Sequence, residues 1–181
     1  MAESVVLDGI PPEELEQFLA FSARVQGTNI SPQTLLATDY LNHFNEIIML
    51  IGMIADIPEC FEEAMAWLPK TYQEHFQDSQ FRDKDLAIEA YNHVPTPFKK
   101  PFEDIIRQMN VMVVIALAQI GEVTDKNELD HLPHLCTEAS YGIQHLMDLA
   151  SAVIHGSQKV LDQGEIDGML LDFTASVEVN L

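Results

Sequence analysis

Two stretches of this chain constrain its fold more than anything else in it. Residues 47–55 and 111–118 carry no charged or hydrogen-bonding side chain at all. A helix that is apolar all round must be covered on every side, so both stretches are expected to be buried core helices. Both fall short of the ~20 apolar residues that cross a bilayer, and no membrane span is expected.

The punctuation around them is helical. Pro11-Pro12-Glu13-Glu14 opens an amphipathic helix that runs to about Gln26, before Gly27, since proline is tolerated in the first turn and acids favour the positive end of the helix dipole. Ser31-Pro32 reads as an N-cap followed by proline, starting a long helix through Asp39 and His43 to about Asp56, where Pro58 breaks the pattern. A short helix follows over residues 59–67. Residues 67–102 form short segments holding seven of the fourteen aromatic residues, counting Trp, Tyr and Phe. Phe98 or Pro101 then begins a second long helix reaching Ile120 and stopped by Gly121, and a third is expected over residues 132–154, ended by Gly156. The expected fold is all-α, an antiparallel bundle of three to four long helices with shorter helices in the middle. It forms one domain over residues 1–160, followed by an acidic amphipathic segment over 161–181.

The charge is strongly one-sided: 29 acids against 9 bases give −20. Residues 1–66 hold 11 acids and only Arg24 as a base, 67–120 hold 7 acids and 6 bases, and 121–181 hold 11 acids and 2 bases. Phosphate backbones and anionic lipid surfaces repel such arms, so neither nucleic acid nor membrane is expected as a partner, whereas a protein with a basic face would be steered inward. Cys60 and Cys136 lie far apart without CxxC spacing, which fits a reducing compartment. The opening Met-Ala-Glu-Ser-Val-Val lacks the basic and apolar regions of a signal peptide, and a cytoplasmic location is expected.

Two groups of residues have metal-ligand chemistry. His43 and Glu46 share a helix face, and Glu128, His131, His134 and Cys136, with Glu138, cluster about a helix entrance. The first group is an incomplete di-iron set that also fits a solvated face, and the second has spacings that need not converge, so no cofactor is expected. No phosphate-binding glycine loop, Gly-x-Ser-x-Gly or His-Glu-x-x-His motif is present. The aromatic middle, with Tyr72, His75, Tyr91 and His93 as polar handles, reads as a satellite core or as the lining of a ligand pocket.

Near the C-terminus, Gln163-Gly164-Glu165-Ile166-Asp167-Gly168-Met169-Leu170 and Phe173 set Ile166, Met169, Leu170 and Phe173 at helical spacing on an acidic background. This segment resembles the response-regulator-binding peptide of the chemotaxis phosphatases (the CheZ family) and the start of the flagellar switch protein FliM, which share Gln-x-x-hydrophobic-Asp-x-hydrophobic-Leu. Upstream, Gln144, Asp148-Leu149 and Val153-Ile154 are similar to that family's active helix, where an acid and a glutamine four residues later enter the regulator's phosphorylation site. Asp148 matches the acid, but Ala152 stands where the glutamine belongs. Gln144, one turn earlier, offers an amide on the same face. Residues 38–44, Thr-Asp-Tyr-Leu-Asn-His-Phe, are similar to the phosphoacceptor helix of some sensor kinases, with Thr38 in place of the histidine.

The resemblance implies a cytosolic protein that binds a partner, a response-regulator receiver domain of two-component or chemotaxis signalling, through Glu165, Ile166, Asp167, Met169, Leu170 and Phe173. Residual aspartyl-phosphate phosphatase activity through Gln144 and Asp148 is the one chemistry it would allow. The alternatives are an acidic adaptor or inhibitor occupying a basic surface on its partner, and a metal-binding helical bundle.

Overall fold

The computed structural model of the chain describes residues 9–157, together with Gly168 and Leu171. Among them are seven α-helices: α1 (Pro12–Arg24), α2 (Asn42–Met53), α3 (Cys60–Ala66), α4 (Tyr72–Asp78), α5 (Lys84–Tyr91), α6 (Thr96–Asp125) and α7 (Leu132–Ile154). Short 3-10 turns, Thr38–Leu41 and Leu129–His131, lead into α2 and α7. The described residues contain no strand, only an isolated bridge between Ile30 and Ala37, and the fold is all-α. Only α6, with 30 residues, and α7, with 23, are long.

The last turn of α7 shows how completely such an end is closed. Gly156, at φ +89°, takes the left-handed turn. Its N–H reaches the Val153 carbonyl, that of Ser157 reaches Ala152, and that of His155 reaches Ser151. The remaining carbonyl, of Ile154, accepts from the buried Thr34 hydroxyl at 2.6 Å. Helix α6 closes the same way with an asparagine: Asn127 is at φ +58°, its N–H donates to Thr124 and that of Glu128 to Val123.

Two expected boundaries are displaced. Helix α6 runs through Gly121 instead of stopping there. A Cβ at that position would lie 3.3 Å from Phe61 Cζ, so this glycine serves close packing and Asn127 ends the helix. The helix expected from Ser31 begins only at Asn42. The Ser31 hydroxyl accepts from Gln33 N as a helix cap would, but the Ser31 N–H donates to the Leu36 carbonyl at 2.8 Å and the chain turns back. Leu35 sits at φ +65°, a conformation costing roughly 1–2 kcal/mol for an L-residue. Leu35 and Leu36 are fully buried, and burial of one leucine returns about 1.5–3 kcal/mol, so tertiary packing outweighs the local preference for helix.

Two compact units make up the chain. The first comprises Met1–Asn42, Lys70–Asp104 and Leu149–Val160; the second comprises His43–Pro69, Ile105–Asp148 and Leu161–Leu181. The first has an aromatic core, with Phe18, Phe21, Tyr40, Tyr72, Phe76, Tyr91, Phe98 and Phe102 buried. In it the Glu14 carboxylate accepts from the Thr96 N–H and hydroxyl, capping the start of α6 from α1, and Arg24 holds Glu89 through two bonds of 2.7 and 2.8 Å. The second unit has a mainly aliphatic core drawn from Ile47, Ile51, Met109, Met112, Ala116, Ile120, Ile143 and Leu146. Its described residues carry two bases, Arg107 and Lys126, against eleven acids. By length and apolar composition α6 would suffice to cross a bilayer, and its Ile105, Met109, Val113 and Ile120 side chains are buried in protein.

Candidate functional site

Helix α7 presents Tyr141, Gln144, His145 and Asp148 at spacings of three and four, which gather them on one face. The opposite face is inward, since Ala139, Ile143, Leu146, Met147 and Ala150 are buried. Gln144 Nε2 donates to Asp148 Oδ1 at 2.9 Å. Asp148 is exposed, Gln144 half-buried, and Tyr141 is 71% exposed, unusual for so large a ring. One amide N–H is committed to the carboxylate, while the second N–H, the amide oxygen and Asp148 Oδ2 add further hydrogen-bonding capacity on this face. The docking residues read from the sequence, Glu165, Ile166, Asp167, Met169, Leu170 and Phe173, lie outside the described residues.

The metal-ligand candidates are not brought together. His43 is buried: its Nε2–H donates to the Leu68 carbonyl at 2.8 Å, and its ring stacks on Trp67 with centroids 4.5 Å apart. Trp67 Nε1 in turn donates to the His43 carbonyl at 3.1 Å. This imidazole is an anchor between two segments, whereas Glu46 on the same helix faces solvent. At the entrance to α7 the helical period turns Leu132, Leu135 and Cys136 inward and leaves His134 outside, with His131 and Glu128 also exposed and Glu138 half-buried. Burial pushes the Cys136 thiol up to about 11, away from the thiolate a metal requires. Among the described residues no group of three or more His, Cys, Asp and Glu side chains is arranged to hold a metal ion.

The aromatic middle is chiefly core. Tyr72 stacks on Tyr91 at 4.5 Å, and the Tyr72 hydroxyl accepts from Ala37 N. The Tyr91 hydroxyl donates to Glu103 Oε1 at 2.8 Å, and that of Tyr40 to the Lys70 carbonyl. Burial raises all three phenols above their ordinary range. His93 stacks on Phe21 at 4.4 Å.

His75 alone of the four polar handles borders a cleft, of about 730 Å³, within the first unit. Gly27, Asn29, Asp39, Asn42, Ser79, Gln80, Phe81, Arg82 and Asp83 complete its lining. A capping box sets the helix that carries His75: the Thr71 hydroxyl accepts from Glu74 N while the Glu74 carboxylate accepts from Thr71 N. That signal, Thr-x-x-Glu, is plain in the sequence and locates α4. The His75 ring meets Tyr40 and Phe76 edge-on, and burial holds its pKa below the ordinary value despite a hydrogen bond to the Asp39 carbonyl. Nothing in the spacing of residues 27, 39, 75 and 82 announces that they share a cleft.

Comparison of the chain with protein-family models, with curated proteins and with solved structures gives no match.

Proposed function

We propose that this protein binds another protein in the cytoplasm, and that the partner is a response-regulator receiver domain. The observation that carries the reading is the hydrogen-bonded Gln144–Asp148 pair on the exposed face of α7, an amide and a carboxylate side by side with Tyr141 one turn away. The resemblance to the chemotaxis phosphatases implies an acid and an amide on one helical face at the regulator's phosphorylation site; here the amide stands one turn before the acid instead of one turn after it. Support also comes from the second unit's surface. Of the ten strongly exposed large apolar side chains among the described residues, Leu19 alone falls in the first unit, while Met49, Met65, Leu68, Val114 and Tyr141 are among those in the second. In this reading the second unit works as an antiparallel bundle of α2 with parts of α6 and α7. Two contacts fit it: Ser140 Oγ donates to the Ile48 carbonyl at 3.5 Å, and Gly142 admits the Met112 sulfur. The role is binding; Ala152 leaves the family's glutamine position without an amide.

The test is affinity for receiver domains from the same genome, measured with the full chain, with residues 162–181 deleted, and with Asp148→Asn. Each change should weaken binding about tenfold or more, a loss of ~1.4 kcal/mol, while the helical circular dichroism stays the same. Unchanged binding after both changes, or no receiver bound at all, ends the proposal. The eleven acids against two bases among the second unit's described residues favour one further reading, an adaptor covering a basic surface. Steep salt dependence that is insensitive to the deletion would select it.

A further inference from the structure

We propose that the cleft in the first unit binds a small aliphatic amine, with Asp39 as the contact for its ammonium group. The proposal is independent of the receiver-binding face, because every residue of the cleft belongs to the first unit.

The argument starts from which charges in the cleft are already matched. The Arg82 guanidinium pairs its charge with Asp83, from Nε and Nη2, through contacts of 3.0, 3.2 and 3.4 Å. The Ser79 hydroxyl donates to the Phe76 carbonyl and accepts from Phe81 N. The Asp39 carboxylate, half-buried in the wall, has no hydrogen bond or ion pair with any described residue. One unmatched negative charge therefore remains, in a protein whose overall field is strongly negative. That field concentrates cations at the mouth and repels anions.

An ammonium group is a compact charge with three N–H donors, and it needs oxygen acceptors. Asp39 supplies the charged one, and Asn29 and Gln80, also in the lining, carry amide groups that can supply neutral ones. Phe81 gives an apolar wall for methylene groups, in a volume within the usual range of small-ligand sites. The alternatives fit worse. A divalent cation requires several carboxylate oxygens at one point, and no such group of side chains exists among the described residues. An amino acid would bring its own carboxylate against Asp39 and Asp83 while the guanidinium is already engaged.

The experiment is a calorimetric titration of the full-length protein with putrescine at about 150 mM salt, where the diffuse field is screened beyond roughly 8 Å. One saturable site is expected. Asp39→Asn, nearly isosteric, should weaken it at least tenfold, and Asn29→Trp, which fills the cleft from an exposed position, should do the same. Glu63→Gln, in the second unit, should leave it unchanged, and glycine, acetate and Mg²⁺ should not compete. No saturable site, equal losses in Asp39→Asn and Glu63→Gln, equal binding of glycine, or full affinity in both cleft variants would each overturn the proposal. The Glu63→Gln result separates a built site from a counterion atmosphere.

Discussion

Thr34→Val tests whether the closure of α7 rests on one hydroxyl. Thr34 is fully buried and, of the last four carbonyls of α7, supplies the partner for Ile154 while backbone N–H groups supply Ser151, Ala152 and Val153. Valine keeps the shape and the β-branch but leaves the buried Ile154 carbonyl without its donor, at a cost of about 1–3 kcal/mol, and the Leu36 N–H, which donates to the same hydroxyl at 3.4 Å, without its acceptor, for about 1 kcal/mol more; against this, the added methyl is worth ~0.8 kcal/mol on burial. The net expectation is a loss of about 2 kcal/mol, near thirtyfold in the folding equilibrium and roughly 4–8 °C in Tm for a chain of this size. Thr34→Ser keeps the donor and removes a methyl, for about 1 kcal/mol. Urea denaturation followed by circular dichroism, with unchanged m-values, gives both numbers. If Thr34→Val costs no more than Thr34→Ser, packing rather than the hydrogen bond holds this end and the reasoning fails.

Other outcomes follow from the cores. Phe76, fully buried against Tyr72, His75 and Phe81, should cost about 3–5 kcal/mol as Phe76→Ala, read from the shift of the urea midpoint, and a loss under ~1 kcal/mol would mean that the aromatic core collapses to fill the space. Burial raises the Cys136 thiol from 9.0 to about 11, so between those values the unfolded chain loses this proton first and stability falls as pH rises through that window. Comparing pH 8 with pH 10 under reducing conditions, the decline should be smaller in Cys136→Ala, and equal declines would contradict the assignment. The buried tyrosines add a decline of the same sign above about pH 10 in both proteins.

Much of the helix order was legible. Helix α1 starts at Pro12 as read from Pro-Pro-Glu-Glu, and α7 spans the expected residues because Leu132 begins an apolar period and Gly156 closes it. The stretch 42–46 was harder. Asn42, Asn45 and Glu46 do face solvent, but His43 is drawn inside by Trp67 and by the Leu68 carbonyl, partners more than twenty residues away. The candidate site divides likewise. That Gln144 and Asp148 share a face follows from helical spacing, whereas the cleft around Asp39 and His75 depends on how separate segments pack.

By itself, then, the sequence determined that the described chain is helical and where α1 and α7 begin, because these depend on periodicity and on local caps that act within one or two turns. The two all-apolar stretches were expected to be covered on every side, but they are core on one side only: Met49 is 57% exposed and Val114 61%. Tertiary structure decided whether Gly121 ends a helix or admits Phe61, and whether Ser31 caps a helix or closes a turn. It also decided which acid is left without a partner in a cleft. The physical reason is one of competing magnitudes. A cap or a propensity is worth about 1 kcal/mol, while burying Leu35 and Leu36 is worth more and is fixed only when distant segments meet.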